Sequence, residues 1–216
     1  MMKAAPHPAV ASARFYAILD TSYMPLERLE ETGRAVLAGG AGVVQLRAKN
    51  ATTAARSEML KKLAPLCAAA GVPLIGNDDL EAVLAVPGAG LHVGQDDLDA
   101  RAARAALGPE RVLGLSTHSL EQAKAAMAMT EVLTYFAVGP VFPTATKPDY
   151  PAVGLELVRT VAALRPRLPW FCIGGINRKN VAQVRAAGGR AVVAVSEVLC
   201  DTDPARVVRE LTTAMS

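Results

Sequence analysis

Polar side chains alternate along one short stretch of the sequence, the segment QLRAK at residues 45–49. In a β-strand this alternation places Gln45, Arg47 and Lys49 on the same face. Two cations on the inward face of a strand require an anion between or above them, because a buried charge without a partner is costly. The alternative is a strand end with ordinary solvated charges. Because Gln45 and Arg47 sit where core residues are expected, the pattern favours a site for a phosphorylated ligand.

Acidic pairs follow two later apolar segments. Asp78 and Asp79 come directly after Asn77, and Asp96 and Asp97 follow the next apolar run. Carboxylates at neighbouring strand ends can share Mg²⁺, which keeps several waters and takes one or two carboxylates plus phosphate oxygens of a substrate. Aspartate is also common at helix starts, so capping accounts for at least one of these side chains. Position alone does not decide which.

The longest predicted loop, residues 139–154, carries a compact group of phosphate donors. Thr144, Thr146 and Lys147 lie close together in it and offer two hydroxyls and an ammonium group to a diphosphate. A loop of this length in an otherwise tight fold is typical of a moving lid. An ordinary proline-rich loop is the alternative.

Two further segments predict a monophosphate site. Gly174 and Gly175 follow one apolar run, Val195 and Ser196 end another, and a helix is expected after each. Backbone N–H groups in such loops and at helix starts bind monophosphates, and glycine lets the phosphate approach the chain closely. The whole pattern indicates two anion sites, which suits an enzyme that joins two phosphorylated molecules or cleaves one against the other.

A histidine and two hydroxyl residues form a weaker signal. Ser116 and Thr117 precede His118, and a hydroxyl residue before a helix is ordinarily an N-cap. His118 is a candidate acid or base. His92 lies within a predicted strand, where we expect a hydrogen-bonded core residue or one that supports the site.

The elements that must position these residues alternate between short apolar runs and helical patterns. The runs are typical of strands buried on both faces of a parallel sheet, and eight of them with intervening helices predict one (β/α)₈ barrel, a TIM barrel. A doubly wound open sheet is the second choice, but the first strand is not followed by GxGxxG. The predicted strands are residues 15–19, 42–46, 72–75, 90–93, 112–115, 134–138, 170–173 and 191–195.

Composition restricts the classes of partner. The chain has 216 residues and a formal net charge of +3, and no basic run interleaved with aromatics indicates nucleic-acid binding. The scattered Cys67, Cys172 and Cys200 form no CxxC pair, which favours a reducing cytosol over a disulfide framework. No apolar run approaches the ~18 residues of a membrane span. We expect a cytoplasmic enzyme without membrane attachment; a homo-oligomer remains open.

Two local expectations concern proline. Residues 1–12 lack the apolar segment of a signal peptide, and Pro6 and Pro8 disfavour a helix there. We therefore expect a flexible N-terminal tail over residues 1–12 and the barrel over residues 13–216. Pro65 falls inside a predicted helix and should kink or interrupt it.

The ordered set of motifs resembles the thiamine-phosphate synthase family. The segments QLRAK, NDD, LHVGQDDL, LGLSTH, GPVFPTATK, IGGI and AVVAVSEV occur in that family's order and cover nearly the whole chain from residue 14. The resemblance implies a Mg²⁺-dependent barrel enzyme that joins a hydroxymethylpyrimidine diphosphate to a thiazole phosphate. It also implies a dissociative reaction, in which diphosphate leaves first and the thiazole nitrogen captures the pyrimidine methylene cation. Gly76 departs from the family pattern, which has a bulkier apolar residue there, and should loosen the third strand.

The resemblance assigns residues to each part of that reaction. The two expected Mg²⁺ ligands are Asp78 and Asp97. The polar groups expected at the pyrimidine diphosphate are Gln45, Arg47, Lys49, Asn77, Ser116 and Lys147, of which Arg47, Lys49, Ser116 and Lys147 are the expected catalytic residues. The groups expected at the thiazole phosphate are Thr144, Thr146, Gly175, Val195 and Ser196.

Three other functions are weighed against this one. A thiazole tautomerase on the same barrel would suit His118, but it should lack the full diphosphate set. A sugar-phosphate epimerase or isomerase needs an acid and a base across one carbon, and no clear pair is present. A non-catalytic sensor of phosphorylated ligands has no need of two metal carboxylates.

Overall fold

The computed structural model describes residues 7–144 and 151–216 of the chain. Within them, eight parallel strands pair in chain order, and the first strand also pairs with the last, so the sheet closes. The predicted (β/α)₈ barrel is confirmed, and the open sheet is excluded. The strands are Phe15–Asp20 (β1), Val43–Arg47 (β2), Leu74–Asn77 (β3), Gly90–Val93 (β4), Leu113–Thr117 (β5), Tyr135–Val138 (β6), Trp170–Ile173 (β7) and Val192–Ala194 (β8).

Helices surround the barrel and cover the outer face of its strands. Side chains cap the N-termini of several of these helices. The Asp79 carboxylate accepts from the Ala82 N–H at 3.0 Å, and the Ser119 hydroxyl accepts from the Gln122 N–H at 3.2 Å. Besides a 3₁₀ turn at Leu26–Arg28, the helices are Pro8–Ser12 (α1), Leu29–Ala38 (α2), Thr53–Ala69 (α3), Leu80–Leu84 (α4), Ala100–Leu107 (α5), Leu120–Ala128 (α6), Gly154–Ala163 (α7), Val181–Ala186 (α8), Ser196–Leu199 (α9) and Pro204–Ala214 (α10). No helix in residues 7–144 and 151–216 has the length and apolar character needed to cross a membrane.

The core has two layers. The larger one lies between the strands and the helices, and the smaller one fills the barrel interior. Three aromatic rings, Tyr16, Tyr135 and Phe171, pack edge to face in that interior with centroids 5.2–5.7 Å apart. These rings fill the interior of the barrel. Its polar groups collect at the carboxyl ends of the strands, where the functional groups of such barrels lie.

The N-terminal segment differs from the sequence expectation. Residues 8–12 form α1, and Val10 packs into the barrel interior with only 1% of its surface exposed. The expectation of a loose tail is therefore wrong for these residues. Pro8 occupies the first helical position, where its missing N–H has no partner to lose and its fixed φ favours the helix. Residues 1–6 lie outside the described part of the chain.

Pro65 does not interrupt its helix, so the expectation of a break is wrong. Helix α3 runs from Thr53 to Ala69 with Pro65 inside it. Pro65 lies on the exposed face of α3, where water can satisfy the backbone carbonyl that loses its N–H donor.

Gly76 has a packing role that the sequence did not indicate. It is buried in β3 and pairs with Leu46 of β2 and Leu91 of β4, so the strand is not loosened there. A Cβ at this position would overlap with Val83 of α4 and would meet Leu60 Cδ1 of α3 at 3.4 Å. The missing side chain lets α4 pack directly against the strand.

This packing predicts a non-additive pair of substitutions. Gly76→Ala should destabilise the protein by about 1–3 kcal/mol because the new methyl group overlaps with Val83. Val83→Ala removes the obstacle, so the double variant should lose at least about 1 kcal/mol less than the sum of the single losses. Urea unfolding followed by the fluorescence of Trp170 measures all three. Strictly additive losses would show that Val83 is not the group that excludes a side chain.

Candidate active site at the carboxyl ends of the strands

A cavity of about 510 Å³ opens at the carboxyl end of the barrel, within the size range of small-molecule sites. It gathers every predicted site residue that lies in the described part of the chain: Gln45, Arg47, Lys49, Asn77, Asp78, Asp97, Ser116, Thr144, Gly175, Val195 and Ser196. The predicted Thr146 and Lys147 lie outside the described residues. Since β2 and β8 lie far apart along the chain, closure of the barrel is what brings these groups together.

Arg47 already has a protein partner, which the sequence analysis missed. Its guanidinium forms an ion pair with the Asp20 carboxylate at the end of β1, and both side chains are buried. Asp20 also accepts from the Ser22 N–H at 2.9 Å. Asp20 and Arg47 each directly follow a predicted strand, and they are partners in the register of β1 and β2. Their matching positions at two neighbouring strand ends are the signal that could have revealed this ion pair. A guanidinium has five N–H donors, so one carboxylate orients Arg47 without using all of its donors.

Lys49 lies beyond the end of β2, in an exposed loop that a second arginine holds. Arg56 of α3 donates to the Ala48 carbonyl at 2.9 Å and to the Lys49 carbonyl at 2.8 Å. The same guanidinium pairs with the Asp79 carboxylate at 2.8 Å. Arg56 thus connects the loop after β2 to the loop after β3, which carries Asp78.

The four aspartates after β3 and β4 divide into different roles. Asp79 caps α4 and pairs with Arg56, so the capping interpretation holds for it. Asp78, Asp96 and Asp97 line the cavity. The Asp97 carboxylate accepts from the Gly94 N–H at 2.7 Å, and Asp78 accepts from the Asn77 amide. Asp78 adopts φ +63°, a conformation that Asp tolerates better than most residues.

These carboxylates fit Mg²⁺ without forming a complete protein site. No group of three or more His, Cys, Asp or Glu residues within the described ranges is arranged to hold a metal. Asp78 and Asp97 place two carboxylates on the rim of one cavity. Mg²⁺ is commonly held in this way, with waters and substrate phosphate oxygens completing its shell.

Ser116 and Thr117 belong to β5, so they do not cap the next helix. Ser119 caps α6 instead, and the Thr117 hydroxyl donates to the Ala137 carbonyl at 2.8 Å. His118 lines the cavity, and its Nδ1 contacts the Gly139 carbonyl at 2.5 Å. His92 is buried, as expected, with Nδ1 2.9 Å from the Tyr135 hydroxyl and Nε2 2.9 Å from the Ser116 hydroxyl.

The opposite rim is made of backbone. Gly174 and Gly175 adopt φ +100° and +63° after β7. Val195 follows β8, and Ser196 begins α9. The first N–H groups of a helix have no partner within it. A Cβ at Gly175 would meet the Pro143 carbonyl oxygen at 2.5 Å, so this glycine also allows the loop after β6 to approach closely.

A charge network ties the two halves of this rim together. Arg178, in the loop after β7, donates to Glu197 at 2.6 Å, to Asp201 at 3.1 Å and to Glu210 at 3.3 Å. Glu197 follows Ser196 and lines the cavity. Without a partner, its carboxylate would repel an anion at this rim; Arg178 compensates it.

Comparison with known proteins agrees with this geometry. A family model described as thiamine monophosphate synthase matches residues 15–198. The chain belongs to this family. It is 41% identical over 202 residues to a thiamine-phosphate synthase of Acidothermus cellulolyticus, covering 94% of each chain. It is 44% identical over 202 residues to that of Thermobifida fusca, covering 93% of this chain and 91% of the relative.

A solved structure supports the same family and fold. The thiamine phosphate pyrophosphorylase from Pyrococcus furiosus superposes with a TM-score of 0.84 at 30% identity, over 95% of this chain and 96% of that one. A 3-hexulose-6-phosphate synthase, at 18% identity and a TM-score of 0.65, shares only the fold.

The double role of Asp79 predicts a pH-dependent contribution to stability. Burial raises the pKa of Asp79, but hydrogen bonds from the Ala82 N–H and Arg56 outweigh it and hold the pKa below its usual value. A carboxyl with a lower pKa in the folded chain stabilises the fold fully above its unfolded-state pKa of about 3.9. That stabilisation is lost as the pH falls through the folded-state pKa. Asp79→Ala should therefore cost about 1–2 kcal/mol near pH 7, and less below about pH 4.

Urea unfolding of both proteins between pH 7 and pH 3 measures this difference. Asp99→Ala, which removes the cap of α5 but no ion pair among the described residues, should cost less near pH 7. A difference between wild type and Asp79→Ala that stays constant down to pH 3 would contradict the role given to the ionised carboxylate.

Proposed function

We propose that this enzyme joins 4-amino-2-methyl-5-hydroxymethylpyrimidine diphosphate to 4-methyl-5-(2-hydroxyethyl)thiazole phosphate, forming thiamine phosphate and diphosphate. One observation carries the proposal: a single cavity has a charged rim on β2–β4 and a backbone rim after β7 and β8. The two rims match the different phosphate groups of the two substrates. Membership of the family and the relatives' names support the same reaction.

The charged rim is assigned to the pyrimidine diphosphate. Its polar groups are positioned before substrate arrives, because Asp20 orients Arg47 and Arg56 holds the loop of Lys49. Preorganised donors stabilise charge that develops on a leaving group without further rearrangement. The proposed diphosphate contacts are Gln45, Arg47, Lys49, Asn77, Ser116 and, from the sequence, Lys147.

Asp78 and Asp97 are the proposed Mg²⁺ ligands. Mg²⁺ held there and by the diphosphate oxygens would neutralise the charge of the leaving group. Asp96 also lines the cavity but is not assigned to the metal.

The apolar part of the cavity suits a cationic intermediate. The C–O bond to diphosphate breaks with its electron pair, and the aminopyrimidine ring delocalises the positive charge left on the methylene carbon. The thiazole nitrogen then donates its lone pair to form the C–N bond, so no side-chain nucleophile is required. Ile18, Ala137, Ile173 and Val193 line the cavity and exclude water that would otherwise capture the cation.

The backbone rim is assigned to the thiazole phosphate. Its proposed contacts are backbone groups at Gly175, Val195 and Ser196, with Thr144 and, from the sequence, Thr146 nearby. Close approach at glycine and the N–H groups at the start of α9 favour a monophosphate there.

An assay with purified protein, both precursors and Mg²⁺ tests the proposal. We expect thiamine phosphate and diphosphate in equal amounts, and no consumption of either precursor alone. Isomerisation of a thiazole phosphate by itself would favour the tautomerase alternative. Binding of both precursors without turnover would favour the sensor.

The metal assignment predicts a change in the Mg²⁺ requirement. Asp78→Asn and Asp97→Asn should each raise the Mg²⁺ concentration for half-maximal rate, because each removes one anionic ligand. Asp96→Asn, on the same cavity wall, is the matched control and should have a milder effect. A Mg²⁺ titration with unchanged midpoints for both Asp78→Asn and Asp97→Asn would remove these carboxylates from the metal site.

The charge network predicts that a substitution of Arg178 changes KM for one substrate and not for the other. Arg178→Ala leaves the Glu197 carboxylate uncompensated beside the monophosphate rim, so KM for the thiazole phosphate should rise about three- to tenfold. KM for the pyrimidine diphosphate should hardly change. Arg206→Ala is the matched control, because Arg206 contacts Asp201 and Glu210 but, among the described contacts, not Glu197. Equal increases for both substrates would contradict the two-rim assignment.

A further inference from the structure

A continuous chain of hydrogen bonds runs beneath the cavity and connects five strands. Gln45 Nε2 lies 2.7 Å from the Tyr16 hydroxyl, which lies 2.8 Å from the Tyr135 hydroxyl. The Tyr135 hydroxyl lies 2.9 Å from His92 Nδ1, and His92 Nε2 lies 2.9 Å from the Ser116 hydroxyl. All five side chains are at least 92% buried, and both ends of the chain, Gln45 and Ser116, are proposed substrate contacts.

The chain has a direction, because each tyrosine hydroxyl has a single hydrogen to donate. The Gln45 amide donates to the Tyr16 hydroxyl, whose other described partner is the Tyr135 hydroxyl. If Tyr135 donated to Tyr16, the buried hydrogen of Tyr16 would have no acceptor among the described contacts, so Tyr16 donates to Tyr135. Tyr135 in turn donates its hydrogen to His92 Nδ1. Burial raises the pKa of both tyrosines well above the usual value, which keeps both hydroxyls protonated.

The direction determines which ring nitrogen of His92 carries the proton. Because Nδ1 accepts from Tyr135, a neutral imidazole must carry its hydrogen on Nε2. Nε2–H then donates to the Ser116 oxygen. The hydrogen of the Ser116 hydroxyl is thereby directed away from His92, and Ser116 lines the cavity.

We propose that Tyr16, Tyr135 and His92 are positioning residues that hold Ser116 as a hydrogen-bond donor toward the cavity. In the reverse direction Ser116 would donate to His92 and present only lone pairs to the ligand. A diphosphate oxygen is an acceptor, so it requires the donor form. This inference rests on the proposed function only where it names the diphosphate as the ligand of Ser116.

Nitrogen-15 NMR of the histidine side chains tests the direction without any activity measurement. The chain has three histidines, and a His92→Gln variant assigns the His92 signals. We expect neutral His92 in the Nε2–H form in the wild type. A Tyr135→Phe variant, which removes the donor to Nδ1, should show a mixture of the two tautomers. Tyr16→Phe should keep the Nε2–H form, because Tyr135 can still donate to Nδ1.

Binding and kinetics test the consequence for Ser116. With Mg²⁺ present, Tyr135→Phe should weaken binding of inorganic pyrophosphate and lower kcat/KM for the pyrimidine diphosphate, each by about tenfold or more. KM for the thiazole phosphate should stay within about twofold. Thr117→Val is the matched control, because it removes a buried hydroxyl of β5, the strand that carries Ser116, and this hydroxyl belongs to no link of the chain.

The outcomes separate this inference from the proposed function. His92 in the Nδ1–H form in the wild type overturns the direction of the chain, whatever reaction the enzyme catalyses. Equal losses in Tyr135→Phe and Thr117→Val overturn the positioning role, because they indicate a general effect of removing a buried hydroxyl. The expected tautomer and pyrophosphate results in a protein that forms no thiamine phosphate would support the inference and contradict the proposed reaction.

Discussion

Pairing of β1 with β8 is the constraint on which the rest of the structure depends. It closes the sheet and brings all eight carboxyl strand ends to one rim, where parallel barrels hold their functional groups. Inward side chains below the rim must fill the interior, and Tyr16, Tyr135 and Phe171 do so. Inward polar groups nearer the rim are cut off from bulk water, so each needs a partner within the protein.

Those partners make the site rigid before substrate binds. Asp20 satisfies Arg47, and the chain from Gln45 to Ser116 satisfies its own members link by link. Removing one member would leave its neighbour buried without a partner, which is costly. The arrangement suits the proposed reaction, since a leaving diphosphate is best stabilised by groups that are already oriented.

The sequence was sufficient to predict the fold and the residues that line the site, but not the contacts that support those residues. Apolar runs and ordered motifs were sufficient for the barrel and for the residues around the cavity, because strand ends of a parallel barrel converge whatever the loops do. The supporting contacts were not predictable. Arg178 and Glu197 meet only through tertiary packing. Nothing in the sequence distinguishes Tyr135 from an ordinary core residue, because the partners of its hydroxyl lie on other strands. Gly76 was misjudged for the same reason, since its neighbour Val83 comes from another element.

The central claim is that one barrel mouth holds two anion sites of different kinds. A crystal structure of the protein with thiamine phosphate, diphosphate and Mg²⁺ tests it most directly. The account predicts diphosphate against Arg47, with the metal on Asp78 and Asp97, and the monophosphate of the product against Gly175 and Ser196. Both phosphate groups on the same rim, or the metal bound to other carboxylates, would contradict it.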